Sequence, residues 1–333
     1  MDTFIKAISY YLPDNIVTNE QLVEEFPEWS VEKIAKKIGI NERHIAADDE
    51  TAGDMAYKAA EKLISEYSID KSEIDFVLLC TQSPDYFLPS TSCVIQSRLG
   101  LSTKCGAFDY NLGCSGYEYG LAVAKGLITS GIAKNILLLT AETYNKHIHP
   151  KDKGNRTIFG DGASASLVSI EGFAKIGEFV LGSDGRGFDR LIHKSGAMRH
   201  IQPICDLHFD ENDNPQSSDY LYMDGKAIFD FTSDIVPSMI DELLTKQQMN
   251  MDEVDLFVFH QANKYMINYL RKLMSIDKEK FYVYMENVGN TVSSTIPIAL
   301  YEAKKEGKLH GNVLLAGFGV GLSYGATVLM IDK

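Results

Sequence analysis

The sequence predicts a layered α/β fold made of two copies of one unit, and three observations carry that expectation. Its strands are short and apolar along their whole length, as in a sheet covered on both faces. Longer helical stretches alternate with them, the order expected of helices packed on a mostly parallel sheet. Three elements of the first half then recur in the second half in the same order.

In chain order, Met1-Asp2-Thr3-Phe4-Ile5-Lys6 lacks a basic-then-apolar leader pattern and reads as an opening strand. Asp75-Phe76-Val77-Leu78-Leu79-Cys80 is a buried strand by its continuous apolarity, and a helix from about Thr91 carries Val94, Ile95 and Leu99 to a stop at Gly100. An apolar helix from Tyr117 to about Thr129 precedes the strand Asn135-Ile136-Leu137-Leu138-Leu139. A further strand opens on the small residues Gly162-Ala163-Ser164-Ala165.

The pattern then repeats. The run 73–80 matches Glu253-Val254-Asp255-Leu256-Phe257-Val258-Phe259-His260, with a helix after each. Gly113-Cys114 leads through a helix to the strand at 135–139, and Gly289-Asn290 leads through 295–305 to Asn312-Val313-Leu314-Leu315-Ala316. The closing strand Gly325-Ala326-Thr327-Val328-Leu329-Met330 answers the one at 162–168. The division falls near 172–175 and gives halves 1–173 and 174–333. Residues 183–224, rich in Gly, Asp, Asn and Pro, form a long irregular insertion of the kind that covers a site or stays mobile at the surface.

Composition narrows the function. Lys plus Arg number 32 against 46 Asp plus Glu, a net charge of −14 that argues against a non-specific nucleic-acid binder or a protein lying on an anionic membrane. No apolar run approaches the roughly 20 residues that span a bilayer. Five cysteines without a CxxC pair fit neither a disulfide framework nor a zinc cluster, so the expected compartment is the reducing cytoplasm.

The duplication places Cys114 and Asn290 at equivalent points, each after a glycine and ahead of a helix, and His260 at a strand end, where a side chain can enter the crevice beyond the sheet. In Asn111-Leu112-Gly113-Cys114-Ser115-Gly116 the helix start is expected to stabilise a thiolate and lower the thiol pKa, with flanking glycines admitting a substrate. A small apolar residue packed at a helix start is the competing reading. Cys80 and Cys93 sit among core residues, and neither they nor Cys105 and Cys205 lie in such a turn. His260 opens His260-Gln261-Ala262-Asn263, more polar than a packed strand end requires, although a hydrogen-bonded core histidine also fits. His147, His149, His193, His200, His208 and His310 lie in polar stretches and read as surface or loop residues. Asn290 fits a helix cap or an amide donor to a carbonyl or enolate oxygen. Gly317-Phe318-Gly319-Val320-Gly321 has Leu322 where a GxGxxG pattern needs its third glycine, so a dinucleotide site is not expected there.

These motifs, with Gly39-Ile40, Arg43 and Phe159-Gly160-Asp161-Gly162-Ala163, stand in the order and at about the spacing of the β-ketoacyl-acyl-carrier-protein synthase III family, which the chain resembles over essentially its whole length. The resemblance implies a thiolase-like fold of five αβαβα layers, usually a homodimer. It implies Cys114 as the nucleophile that takes an acyl group from a thioester. His260 and Asn290 would donate to the malonyl thioester oxygen as carbon dioxide leaves, and the backbone amides of Cys114 and Val320 would form a second oxyanion hole. Leu88, Lys153, Asn263 and Phe318 would contact substrate, acyl-CoA and acyl-carrier protein would be the partners, and no metal or cofactor would be needed beyond CoA or phosphopantetheine thioesters as substrates.

Some positions depart from the family pattern. Lys33 stands where a CoA-stacking Trp is usual, and Tyr265 and Asp230 replace basic residues of the carrier-protein docking patch. Lys36, Lys37, Arg271 and Lys272 are the candidates for a local basic surface. Tyr86, Phe87 and Leu88 occupy the loop expected to floor the acyl pocket across a dimer interface, which favours a short or unusual acyl chain. The leading expectation is therefore decarboxylative Claisen condensation through acyl-Cys114. The alternatives are acyl transfer from Cys114 to a hydroxyl or amine, separated by release of carbon dioxide, and a non-catalytic partner subunit, separated by formation of any acyl-Cys114.

Overall fold

The computed structural model describes residues 1–211 and 213–332. Nine strands make one sheet: β1 (Phe4–Tyr11), β2 (Phe76–Cys80), β3 (Gly106–Tyr110), β4 (Asn135–Glu142), β5 (Gly162–Ser169), β6 (Ala174–Ser183), β7 (Leu256–Phe259), β8 (Gly311–Gly319) and β9 (Ser323–Ile331). Their order is β7-β8-β9-β6-β1-β5-β4-β2-β3. Each half follows the same rule. A parallel pair (β2 with β4, β7 with β8) continues into an antiparallel pair (β4 with β5, β8 with β9) and then the half's first strand (β1, β6). The halves meet between β1 and β6 at only two residue pairs, Phe4 with Lys175 and Ile5 with Ala174. The counterpart of β3 is reduced to one parallel bridge, Phe257 to Phe281.

The duplication extends to single hydrogen bonds. Asp75 Oδ2 accepts from the backbone N–H of Lys134 and Asn135 at 2.7 and 3.0 Å, and Asn135 Nδ2 donates to the Glu73 carbonyl at 3.0 Å. Asp255 Oδ2 accepts from Asn312 N–H at 2.8 Å, and Asn312 Nδ2 donates to the Glu253 carbonyl at 2.9 Å. Each carboxylate closes the open end of a parallel strand pair, where the ladder leaves amides without strand partners.

The main helices are α1 (Val31–Ile38), α2 (Ala52–Glu66), α3 (Thr91–Arg98), α4 (Gly116–Thr129), α5 (Gly225–Gln247), α6 (Lys264–Leu273) and α7 (Thr295–Lys305). α2 opens on a capping box in which Thr51 and Asp54 satisfy each other's amides. Its buried face, Met55, Ala56, Ala59, Ala60 and Leu63, is mostly alanine, which lets the helix lie close on the first half-sheet. One core joins α2 to that sheet, and another lies beneath α5 and α6 on the second. Between them Leu121, Ala124 and Ile128 of α4 share a third core with Ile296, Ala299, Leu300 and Ala303 of α7. Helix, sheet, paired central helices, sheet and helix make the five layers.

The insertion at 183–224 has little regular structure: two short strand pairs, Leu191–Ile192 with Tyr222–Met223 and His208–Phe209 with Pro215–Gln216. It folds back on the first half, where Leu221 N–H donates to the His147 carbonyl at 2.8 Å. Among the described residues no helix is long and apolar enough to cross a membrane.

Candidate active site

Cys114 lies in the turn between β3 and α4, two residues ahead of the helix start, and is 6% exposed. The glycines beside it admit protein rather than substrate. A Cβ on Gly113 would stand 2.4 Å from Val320 Cγ1 and 2.8 Å from Gln82 Oε1, and one on Gly116 would stand 2.2 Å from Cys80 Sγ. Both packed neighbours hold the turn in place.

The expectation of a lowered thiol pKa is not met. Burial pushes the Cys114 thiol up to about 12 and the Glu142 carboxyl adds to the rise, while the Val320 backbone N–H on the sulfur opposes it. Desolvation outweighs the helix terminus because the residue is enclosed and precedes the helix. A methyl on Gly319 would come 2.9 Å from both Cβ and Sγ of Cys114. Gly319→Ala is therefore expected to displace the sulfur from the Val320 amide and slow its alkylation by iodoacetamide by about tenfold or more, since misplacement by about 1 Å commonly costs that much or more.

His260 ends the buried run of β7 and is 2% exposed. Its backbone N–H continues the ladder to the Ala316 carbonyl at 2.8 Å, and its ring meets Phe318 edge to face at 5.8 Å between centroids. Nδ1 lies 2.7 Å from Thr295 Oγ1. The Thr295 hydroxyl has one proton for two acceptors, Nδ1 and the Val292 carbonyl at 3.0 Å. That carbonyl also takes the Thr295 backbone N–H, and with the hydroxyl proton turned to the nearer Nδ1 the hydrogen of the neutral ring stays on Nε2. Burial pushes the imidazole down to about 3, which keeps it neutral across the physiological range.

Asn290 precedes α7 and is 4% exposed. Its backbone bridges Phe159: its N–H donates to the Ile158 carbonyl at 2.9 Å and its carbonyl accepts from Gly160 N–H at 3.0 Å. The side chain holds a turn, with Oδ1 accepting from Val292 N–H at 2.9 Å, but it is not the helix cap of the competing reading, since Ser294 stands at the start of α7. Nδ2 reaches the Ala262 carbonyl at 3.3 Å, which spends one of its two hydrogens. Val292 has φ 56°, a left-handed value that a β-branched residue adopts only under constraint, and it joins Asn290 to Thr295 and so to His260. A Cβ on Gly113 would also stand 3.3 Å from Val292 Cγ1. Val292 thus adjoins Asn290, Thr295 and Gly113, while the Val320 amide reaches the Cys114 sulfur and Phe318 meets His260.

A cavity of about 1010 Å³ opens beside Val320. Its wall includes Gln82, Leu88, Asn111, Tyr144, His147, Leu191, His193 and Leu221. His147 and His193, expected at the surface, face each other there with Nδ1 atoms 3.1 Å apart, because the insertion carries His193 back onto the first half. Cys93, expected in the core, is exposed. Leu88 stands at the cavity rim, 81% exposed, with Tyr86 and Phe87 at 60% and 67%.

The remaining residues lie off that wall. Phe318 is buried against His260, and Lys153 is ion-paired with Glu28 in the short helix Lys153–Arg156. Asn263 caps α6 through Oδ1 to Met266 N–H at 2.9 Å. Lys33 lies over the Trp29 ring at 5.0 Å, Asp230 pairs with Lys226 at 2.7 Å, and Tyr265 packs on Phe229. Arg43 is fully buried, donating to the Val17 and Thr157 carbonyls and to Asn19 Oδ1, and so braces the turns beneath Gly289. Sequence reading missed Gln82, Tyr144 and Glu142, although a glutamate closing an otherwise apolar strand was a visible signal. Glu142 accepts from Gln82 N–H and Ser83 Oγ at 2.9 and 3.0 Å, and burial drives its pKa well up.

Comparison with known proteins finds relatives along almost the whole chain. Residues 108–185 match the family model 3-Oxoacyl-[acyl-carrier-protein (ACP)] synthase III, and 244–331 match the model of its C-terminal part. A β-ketoacyl-[acyl-carrier-protein] synthase III of Clostridium perfringens is 37% identical over 324 residues, covering 96% of this chain and 97% of that protein. A solved 3-oxoacyl-(acyl-carrier-protein) synthase III superposes with a TM-score of 0.97 at 46% identity, over 99% of this chain and 100% of that one. A 3-oxoacyl-(acyl-carrier protein) synthase from Burkholderia xenovorans LB400 gives 0.91 at 33%, over 100% and 95%. The chain belongs to the β-ketoacyl-[acyl-carrier-protein] synthase III family of acyl-transferring condensing enzymes.

Proposed function

We propose that Cys114, His260 and Asn290 carry out the decarboxylative condensation, and the observation that supports this most is a neutral, buried His260 beside an amide with a hydrogen to spare. Cys114 Sγ attacks the acyl thioester; its proton ends on the departing CoA or pantetheine sulfur. The backbone N–H groups of Cys114 and Val320 hold the oxyanion. Malonyl-carrier protein then loses carbon dioxide, and the enolate oxygen accepts from His260 Nε2–H and Asn290 Nδ2–H. Fixed neutral donors suit this step, because they stabilise the enolate without protonating its carbon. That carbon attacks acyl-Cys114, the C–S bond breaks, and the thiolate takes a proton from solvent. The products are β-ketoacyl-carrier protein, carbon dioxide and the freed thiol of CoA or of the donor carrier.

Asn290 also speaks against simple transfer to a hydroxyl or amine, which needs a base rather than a second donor. The deciding experiment supplies an acyl-CoA and malonyl-carrier protein and measures carbon dioxide and β-ketoacyl product. Equal yields support condensation, whereas acyl transfer without carbon dioxide overturns it.

The reading treats 1–173 and 174–333 as the two repeats, one bearing the nucleophile and the other the donors. It places the enzyme in the cytoplasm as a homodimer. Exposed Tyr86, Phe87 and Leu88 support that dimer, being a contiguous apolar surface at the cavity rim. Leu88, Lys153, Asn263 and Phe318 serve substrate binding here, Lys153 at the nucleotide end and Phe318 by bracing His260. For the carrier protein, α1 packs against α6, so exposed Lys36 and Lys37 adjoin the helix bearing Arg271 and Lys272. A charge reversal of Lys36, Lys37 and Lys272 to Glu is expected to raise KM for malonyl-carrier protein about tenfold, more so at low salt, and to spare acylation by acyl-CoA.

A further inference from the structure

Among the apolar side chains of the cavity next to Val320, such as Leu191 and Leu221, the wall also carries polar groups that a plain alkyl chain leaves unmet. Gln82 Oε1 lies against Gly113, the residue before the nucleophile, and accepts the hydroxyl of Tyr144, which is 4% exposed. Gln82 Nε2 gives one hydrogen to Asn111 Oδ1 at 2.9 Å and has a second to give. The Tyr144 oxygen likewise keeps lone pairs, and the His147–His193 pair lies beyond its ring. A chain of methylenes filling this space would strip water from these groups and return no hydrogen bond. An acyl group with an oxygen at the right carbon would return one.

The electrostatics of the wall define that oxygen. Among the described residues its one Lys or Arg is Lys146, a cation that gives two of its three hydrogens to the Asp48 and Glu50 carbonyls at 2.9 and 2.7 Å. Burial pushes His147 down to about 4 and lowers His193, so neither supplies a cation near neutral pH. Asp85 on the same wall offsets the charge of Lys146. An acid would lose its water here with no surplus positive charge to meet it, whereas a neutral hydroxyl or ketone needs only a hydrogen bond.

We propose that the acyl group loaded on Cys114 carries a neutral oxygen substituent within a few carbons of the thioester, read by the Gln82 amide and the Tyr144 hydroxyl. This rests on Cys114 being the acylated residue. A wall built to hydrogen-bond a substrate discriminates against the analogue lacking that group.

The test follows acyl-Cys114 formation by intact-protein mass spectrometry with butyryl-CoA, 3-hydroxybutyryl-CoA, acetoacetyl-CoA and succinyl-CoA. The expected result is loading by one of the two neutral oxygen-bearing donors about 10- to 100-fold faster than by butyryl-CoA, with succinyl-CoA slowest. Tyr144→Phe and Gln82→Leu should each narrow that ratio towards one. Butyryl-CoA loading as fast or faster on the wild-type protein overturns the inference and leaves the condensing reading intact, whether or not the variants fold. An undiminished ratio in both folded variants removes these two residues from the role and overturns it as well. No adduct from any donor overturns the nucleophile assignment itself, and this inference with it.

Discussion

Cys114→Ala protein is expected to accept no acyl group from any thioester and to lose condensation by at least about 10³-fold, because no other side chain can form the covalent intermediate. The other cysteines do not replace it. Cys80 is buried with Sγ on the Leu112 carbonyl, and Cys93 and Cys205 face solvent. Mass spectrometry after incubation with donor checks the loss, and an adduct on the variant would move the nucleophile elsewhere. The thiol's high pKa gives a second readout. With the free sulfur titrating near 12, its thiolate fraction rises about tenfold per pH unit through the neutral range, so alkylation of Cys114 should climb from pH 7 to 9 without a plateau. A plateau near pH 7 would mean that the thiolate is stabilised far better than its burial allows.

Asn290→Ala should separate the two half-reactions. Removing one of two donors to a developing oxyanion typically costs about 10²- to 10³-fold, and here the loss falls on decarboxylation. Acylation of Cys114 relies on backbone amides and should change less than about threefold. Burst acylation followed by slow discharge is the signature, read by stopped acyl-enzyme accumulation against carbon dioxide release. Asn290 Oδ1 also holds the turn at Val292, so the variant forfeits about 1 kcal/mol of local stability as well. A fall in acylation equal to the fall in decarboxylation would show that the turn, not the donor, was lost.

Much of this architecture was legible before any coordinates. Strands such as 76–80 and 136–139 are apolar on both faces, and that pattern survives any packing. The glycine-framed Cys114 and the strand-ending His260 stand out in the sequence because turn chemistry is local. What escaped depends on distant chain. The acidity of Cys114 is set first by the enclosing walls and then by Val320 and Glu142, none of which is visible from the helix start. His147 and His193 look like surface residues until residues 183–224 close over them. Cys93 sits on the exposed side of a short helix whose apolar neighbours suggested otherwise. Tyr144 and Gln82 carry no motif of their own and acquire meaning only from the cavity they share.

The paired central helices carry an evolutionary and thermodynamic consequence. α4 and α7 bury their apolar faces in a core to which both halves contribute, so a polypeptide ending near 173 would leave α4 uncovered. Such a fragment could close the layer only by pairing with a second copy of itself, which describes the ancestor from which a duplicated chain would descend. For the present protein it means that two repeats should melt as one. Calorimetry is expected to give a single endotherm, with no temperature at which one repeat persists after the other has unfolded.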